Sequence, residues 1–446
     1  MRLGFLSLAL LVSAGCGSVY DAAGLRALGP PADAANGAGT PDSAGGATPA
    51  PVGATPDPGG GTTGGTTGGG GGLTCAAGTV ACGTACVVED AQHCGASCVE
   101  CPAPFAGTTP TCDAGTCGHA CAPGRLSCAG GCCQPARVTA GASHTCAIAR
   151  PAGAATFAAG ELLCWGANDA GQLGTADGAQ RAVPKAAGIS DAAEIAAGGA
   201  HTCVLHAGGA VDCFGDLAAP AGITAVRIAA GAGHACALSV AGAVACWTAS
   251  GPSAALAPSV PGASLLAAGN GFTCAASAGA AGQVQCVGTL TTSFSLAATA
   301  LVAGDRHACA ATSGGPVCWG ANEAGQLGTG ASGTGSTTPV SASRLPSQAT
   351  VLAAGGAFTC AGKPGDTSLK CGGADDLGQS GGMPGTAALP SALDVTVGGP
   401  LVALAAGVVH VCAIAGTELW CWGANDRGQS GRTPAASVLP GAIHGP

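Results

Sequence analysis

This chain carries very little charge: only 8% of its 446 residues are Asp, Glu, Lys or Arg, and only 3% are aromatic. So few charged side chains exclude long solvent-facing helices and coiled coils, which depend on them. The 14 basic residues form no cluster and are outnumbered by 23 acidic ones, giving a net charge of −9. A nucleic-acid footprint needs the opposite balance, so nucleic acid is excluded as a partner. No apolar run reaches the roughly 20 residues that a bilayer-spanning helix needs. Zincin motif, P-loop and paired catalytic carboxylates are all missing. What the chain has instead is 81 Gly, 28 Pro and 27 Cys, the composition of short strands, tight turns and crosslinks. Its length allows two or three domains.

Met1-Arg2, the apolar run Leu3 to Val12 and the small residues Ser13-Ala14-Gly15 before Cys16 read as an export signal over 1–15. The Ala14-Gly15-Cys16 junction resembles a bacterial lipobox, although Ser13 stands where Leu is usual. That resemblance implies lipidation of the Cys16 thiol, cleavage before it, and a membrane anchor at this residue. Gly17 rather than Asp follows Cys16. By analogy with enteric bacteria this points to the outer membrane or cell surface of a Gram-negative organism. Residues 16–73 are nearly all Gly, Ala, Pro, Thr, Ser and Asp, and cannot bury a core. They predict a disordered tether with a root-mean-square span of about 40 Å. The Gly59-x-Gly61-x-x-Gly64 match to a dinucleotide fingerprint lies inside this stretch, with no strand before it and no helix after it.

The cysteines fall into three groups: Cys16 alone, twelve from Cys75 to Cys133, and fourteen from Cys146 to Cys421. With Cys16 lipidated, both larger groups are even, as in a disulfide-bonded exported chain. Residues 74–135 have few large apolar side chains, so bridges must hold this module together. Its Cys82-Gly-Thr-Ala-Cys86-Val87 and Cys94-Gly95 segments resemble cysteine-rich modules of exported myxobacterial proteins. Cys98-Val-Glu-Cys101 also suits a zinc or redox pair, but an oxidising compartment favours disulfides.

From Val138 onward the fourteen cysteines form seven pairs: 146/164, 203/213, 236/246, 274/286, 309/318, 360/371 and 412/421. Each pair lies in one copy of a repeat that reads Ala-Gly-x-x-His-x-Cys-Ala, a variable turn, then Cys-Trp-Gly. The period is about 44 residues, and short strands with Gly turns at that spacing mark a propeller or solenoid. Each cysteine sits in a short strand of a hairpin, and antiparallel neighbours lacking ladder bonds bring Cα atoms to about 4.5 Å. That distance accepts a disulfide. We therefore expect one bridge inside each blade: Cys146–Cys164, Cys203–Cys213, Cys236–Cys246, Cys274–Cys286, Cys309–Cys318, Cys360–Cys371 and Cys412–Cys421. Each closes a short loop that is worth about 2–3 kcal/mol.

The segments Gly166-Ala-Asn168-Asp-Ala-Gly171-Gln172-Leu173-Gly174, Gly320-Ala-Asn322-Glu-Ala-Gly325-Gln326-Leu327-Gly328 and Gly423-Ala-Asn425-Asp-Arg-Gly428-Gln429-Ser430-Gly431 each follow a tryptophan: Trp165, Trp319 and Trp422. They resemble the W-G-x-N-x-x-G-Q-L-G signature of RCC1 (regulator of chromosome condensation) repeats. Gly378-Gln379-Ser380-Gly381 is a partial copy, and the signature is eroded around Cys213, Cys246 and Cys286. The resemblance implies an all-β, seven-bladed propeller over 138–446, with His144, Trp165, Gly166, Asn168, Gly171, Gln172 and Gly174 among its structural motif residues. It also implies closure by a carboxy-terminal segment joining the first blade, for which Val438 to Ile443 is the candidate.

His144, His201, His234, His307 and His410 look like a metal set, yet Phe272 and Phe358 occupy the same slot. A slot that takes His or Phe is a packing and hydrogen-bonding position, so no metal and no cofactor are expected. Gly378-x-Ser380-x-Gly382 matches a nucleophile elbow, but other copies have Leu at the serine position, which makes it a turn. Trp165, Trp247, Trp319 and Trp422 read as blade packing rather than a carbohydrate platform.

The expected function is a lipid-anchored, non-enzymatic scaffold offering loops to a protein or glycan, the widest loops being Ala147 to Leu163, Thr329 to Pro339 and Asp375 to Pro400. A propeller-hosted polysaccharide hydrolase and a purely structural envelope component are the alternatives.

Overall fold

The computed structural model describes residues 79–82, 85–88, 100, 109–113, 116–128, 131–151, 159–175, 177–279 and 282–443. Cys16, the tether and the Cys98/Cys101 pair lie outside them, as do residues 152–158 of the first candidate loop. Two ribbons, Thr79–Cys82 with Ala85–Val88 and Thr109–Asp113 with Thr116–Ala120, precede the main body.

That body is an all-β, seven-bladed propeller. Blade 1 comprises Gly131–Ala140, His144–Pro151, Glu161–Gly166 and Arg181–Ala186, and blade 2 Ala192–Ala197, His201–His206 and Val211–Gly215. Blade 3 comprises Arg227–Ala230, His234–Leu238, Val244–Thr248 and Gly251–Pro252, and blade 4 Ala263–Ala268, Phe272–Ser277, Gln283–Gly288 and Thr292–Ser295. Blade 5 is Ala300–Ala303, His307–Thr312, Gly315–Asn322 and Gly333–Ser341, and blade 6 Val351–Ala354, Phe358–Gly362, Ser368–Asp375 and Thr386–Thr396. Blade 7 is Leu401–Ala406, His410–Ala415, Glu418–Asn425 and Ala435–Ala442. Among the described residues the one helix is a single 3-10 turn, Ala254–Leu256.

The first strand of every blade is innermost, and each touches the first strands of both neighbouring blades, so the seven form a closed ring. All seven of these strands end in Ala, preceded by Ala, Val or Thr and followed by Gly, because only small side chains let seven strands converge. The glycines just beyond them, Gly141, Gly198, Gly231, Gly269, Gly304, Gly355 and Gly407, form a collar. A Cβ on any of them would collide with the His or Phe ring three residues later and with the carbonyl of the next glycine in the collar. Seven apolar clusters complete the core, one in each seam between adjacent blades.

All seven expected disulfides are present, with paired cysteines directly opposite one another and Cα atoms 4.0–4.1 Å apart. This is the close spacing of a pair without ladder bonds.

Closure differs from the expectation. Among the described residues no carboxy-terminal strand joins blade 1; Ala435–Ala442 is the outer strand of blade 7, with Gly441 opposite Cys421. Blade 1 has no vacancy to fill, because chain upstream of Val138 already supplies its inner strand, paired from Cys133↔Pro151 to Ala140↔Thr145. That strand, Gly131–Ala140, crosses the boundary expected between the cysteine-rich module and the propeller. The preceding turn seals the seam between blades 7 and 1. Gly124 donates to the Ile443 carbonyl and accepts from the Leu419 N–H, both at 2.8 Å, while Leu126 is fully buried. Disulfides Cys121–Cys132 and Cys128–Cys133 hold this turn to the strand.

Candidate functional site

The repeat residues meet in the seams, and their bonds explain the motif. In the turn after the third strand of blades 1, 5 and 7, the Asn side chain accepts the N–H five residues on: Asn168 from Leu173, Asn322 from Leu327 (both 3.0 Å) and Asn425 from Ser430 (2.9 Å). The Gln side-chain oxygen accepts the N–H two residues back, as in Gln172 from Ala170 and Gln326 from Ala324, both at 2.9 Å. So braced, the turn aims the Gln main-chain carbonyl at the next blade. There it accepts the Thr hydroxyl: Gln172 from Thr202 (2.8 Å), Gln326 from Thr359 (2.7 Å) and Gln429 from Thr145 (2.8 Å). Tryptophan indoles use the same carbonyls: Trp165 donates to Gln429 at 3.0 Å and Trp422 to Gln379 at 3.1 Å.

The same threonines hold the histidines. Nε2 of His144, His234, His307 and His410 lies 2.8–2.9 Å from the hydroxyl of Thr202, Thr273, Thr359 and Thr145 on the following blade. Where the hydroxyl already gives its one proton to a Gln carbonyl, it must accept from the imidazole, which sets the Nε2–H tautomer for His144, His307 and His410. Burial pushes the His144 imidazole down to about 3 and those of His234, His307 and His410 to about 4, so all four are neutral at pH 7.

This geometry resolves the His-or-Phe slot. Phe272 and Phe358 occur where the residue following the equivalent position on the next blade is Ala308 or Val411, with no hydroxyl to meet. His201 faces Ala235 in the same register and instead places Nδ1 3.0 Å from Asp216 Oδ1. The slot is thus matched blade by blade to its neighbour, a relation between residues distant in sequence that the repeat alone did not reveal.

The other sequence candidates are also structural. Ser380 is buried, with its hydroxyl donating to the Ala374 carbonyl at 2.9 Å, as Ser430 does to Ala424. Trp165, Trp247, Trp319 and Trp422 are all at most 1% exposed, so none forms a platform. Of the expected loops, Asp375 to Pro400 contains the outer strand of blade 6, Thr386–Thr396. Thr329 to Pro339 largely builds the outer strand of blade 5.

Open surface appears where the turn is missing. Blades 2, 3 and 4 lack the Gly-Gln turn, and in the blades that follow 2 and 4 the indole N–H groups of Trp247 and Trp319 find no acceptor among the described residues. Beside each seam lies a cleft. The one between blades 2 and 3 is about 400 Å³, lined by Asp216, Leu217, Pro220 and Trp247 among others. The one between blades 4 and 5 is about 340 Å³ and brings together Thr289, Thr334, Ser336 and Thr337 with Arg306 and Glu323. The last two form an exposed ion pair of 3.2 Å. Part of the predicted Thr329 to Pro339 loop therefore does reach a cleft; the blade 2/3 cleft was not anticipated, because its only signal is the erosion of a motif.

Two further acidic side chains are buried. Glu194 sits between Arg227, 3.2 Å away, and Arg137, and burial pushes its carboxyl up. Asp305, just past the blade 5 collar glycine, is pushed up to about 7 by burial.

A profile of the regulator of chromosome condensation (RCC1) repeat matches residues 159–205. That span contains the complete turn of blade 1 and the His and first Cys of blade 2. Human WBSCR16 superposes with a TM-score of 0.51 at 16% identity, over 70% of this chain and 92% of that one. The fold is an RCC1-like β-propeller. Weaker likenesses include Prp20p of Saccharomyces cerevisiae, studied for its binding to Gsp1p and histones, with a TM-score of 0.41 at 20% identity over 69% of this chain and 76% of that one. The ectodomain of the Arabidopsis thaliana receptor kinase ACR4 gives 0.41 at 20% identity, over 66% and 94%. No curated protein matches the chain.

Proposed function

We propose that this chain is an exported, lipid-anchored, non-enzymatic scaffold whose RCC1-like propeller presents inter-blade clefts to a protein partner at the cell envelope. The observation that carries the reading is the division of labour among the blades. Where the RCC1-like turn is intact, its polar groups are used within the turn and in bonds to the next blade; between blades 4 and 5 and between blades 2 and 3, where it is absent, clefts of about 340 and 400 Å³ face solvent. A disulfide in every blade supports an oxidising, extracytoplasmic location. Cys16 supplies the proposed anchor, to the outer membrane or cell surface.

Intact native cells treated with a membrane-impermeant crosslinker test this proposal. The wild-type protein is expected to yield one reproducible protein adduct. A variant with Arg306→Glu and Thr334 to Thr337 replaced by Gly-Ser-Gly-Ser is expected to lose it. Efficient surface labelling with no protein adduct, or an adduct that survives this replacement, would contradict the proposal.

A further inference from the structure

The two clefts differ in charge. Between blades 4 and 5 the acid, Glu323, is already paired with Arg306 at 3.2 Å. Among the described residues that line the cleft between blades 2 and 3, Asp216 is the only charged one, and no base accompanies it. Asp216 follows directly on the third strand of blade 2, and its main-chain N–H is anchored on the Ala200 carbonyl at 3.0 Å. Its side chain is 50% exposed.

His201 sets the orientation of this carboxylate. Its Nδ1 donates to Asp216 Oδ1 at 3.0 Å, because an ionised carboxylate only accepts. That bond holds the Asp216 carboxyl below the usual carboxylate range. Nε2 of His201 is buried and finds no acceptor among the described residues, so the ring carries its one proton on Nδ1 and leaves the negative charge of Asp216 standing. Around the acid the cleft is mostly apolar: Leu217, Ala219 and Pro220 come from blade 2, Trp247 and Pro252 from blade 3, enclosing about 400 Å³. One carboxylate set in apolar walls is the complement of a long basic side chain, whose methylenes prefer apolar surface while its head makes a charge-assisted hydrogen bond.

We propose that the cleft between blades 2 and 3 receives a Lys or Arg side chain of the protein partner, with its methylenes against Leu217, Pro220 and Pro252 and its cationic head on Asp216. This rests on the partner-binding reading above and adds what the partner presents. The net charge of −9 favours the approach of a basic surface. The cleft between blades 4 and 5, with its acid already paired, makes no such demand.

Two small probes test it on the purified full-length protein with disulfides intact: Nα-acetyl-arginine methylamide and its citrulline counterpart, which has the same shape and no charge. Indole NMR signals read the binding, because the chain has five tryptophans and Trp247 lines the cleft; Trp247→Phe assigns that signal. The arginine compound is expected to shift the Trp247 signal and to bind about tenfold more tightly than the citrulline compound, as one partly exposed charge-assisted hydrogen bond allows. Asp216→Asn keeps an oxygen for His201 and should erase the difference. Ala249→Lys, which brings a cation to the cleft from blade 3 and leaves Asp216 in place, should erase it too. Equal binding of the two compounds, a shift confined to other tryptophans, or a preference that survives both variants would overturn the assignment. On intact cells the crosslinked adduct should weaken in both variants. An adduct undiminished in Asp216→Asn would overturn this assignment and leave the partner reading intact, whereas selective arginine binding with no adduct on cells would overturn the partner reading and leave the cleft's preference for a cation standing.

Discussion

Exchanging one seam's polar pair for the apolar pair that another seam already uses separates the two contributions of the histidines. His410 and Thr145 close blade 7 on blade 1 at 2.8 Å, while Phe358 and Val411 meet in the same register between blades 6 and 7. Thr145→Val alone leaves a buried imidazole N–H without its acceptor and removes one of the two donors to Gln429, a loss of about 1–3 kcal/mol. His410→Phe together with Thr145→Val removes both partners, and should recover at least about 1 kcal/mol of the summed single losses. The double variant also changes the pH dependence. Burial holds His410 at about 4 against an ordinary 6.5, so the unfolded chain takes up a proton that the folded one refuses. Stability is therefore lost as pH falls below 6.5 and continues to be lost until about pH 4. At pH 5 this one residue costs about 2 kcal/mol, from 1.4 kcal/mol per unit. Asp305 acts in the opposite sense, its raised pKa favouring the folded state as pH falls from 7, but it is common to both proteins and cancels. Urea unfolding with disulfides intact, at pH 7 and pH 5, reads both effects. The double variant should lose about 2 kcal/mol less than wild type between the two pH values. Equal losses, or a Thr145→Val variant as stable as wild type at pH 7, would refute the reasoning.

Tryptophan offers a matched comparison: Trp422→Phe loses the bond to Gln379 and should cost about 1–2 kcal/mol more in urea unfolding than Trp247→Phe, whose indole N–H has no acceptor. Gly407→Ala should destabilise by several kcal/mol, about 3 or more, because its methyl meets both the His410 ring and the Gly141 carbonyl, whereas Gly188→Ala meets open space and pays only for its positive φ. Glu194→Ala strands Arg137 and Arg227 beside each other and should cost about 3–5 kcal/mol, with Glu194→Gln intermediate, again read by urea midpoint.

Much of the propeller was legible because its cues are local and repeated. A Gly after small residues, a His or Phe three positions later and a cysteine two beyond that recur in every blade, and each pair of cysteines faces its mate across one hairpin. The reading of Ser380 as a turn residue followed from comparing copies, and its buried hydroxyl agrees. What escaped is set between blades. Whether His or Phe fills the slot depends on a residue in the next repeat, as His144 on Thr202 and Phe358 on Val411. The closing strand was misplaced because Gln134 to Arg137 bears no likeness to other inner strands, although they pair along His144–Pro151 in the same way. The clefts escaped because an absent turn has no sequence signature of its own.

The most direct test of export and anchoring is the intact mass of the mature protein from native membranes, measured without reduction and followed by peptide mapping. The account predicts a chain that begins at a diacylglycerol-modified Cys16 and holds the seven blade disulfides, with no free thiol among those fourteen cysteines. A soluble protein that retains residues 1–15, or free thiols at the blade cysteines, would contradict it.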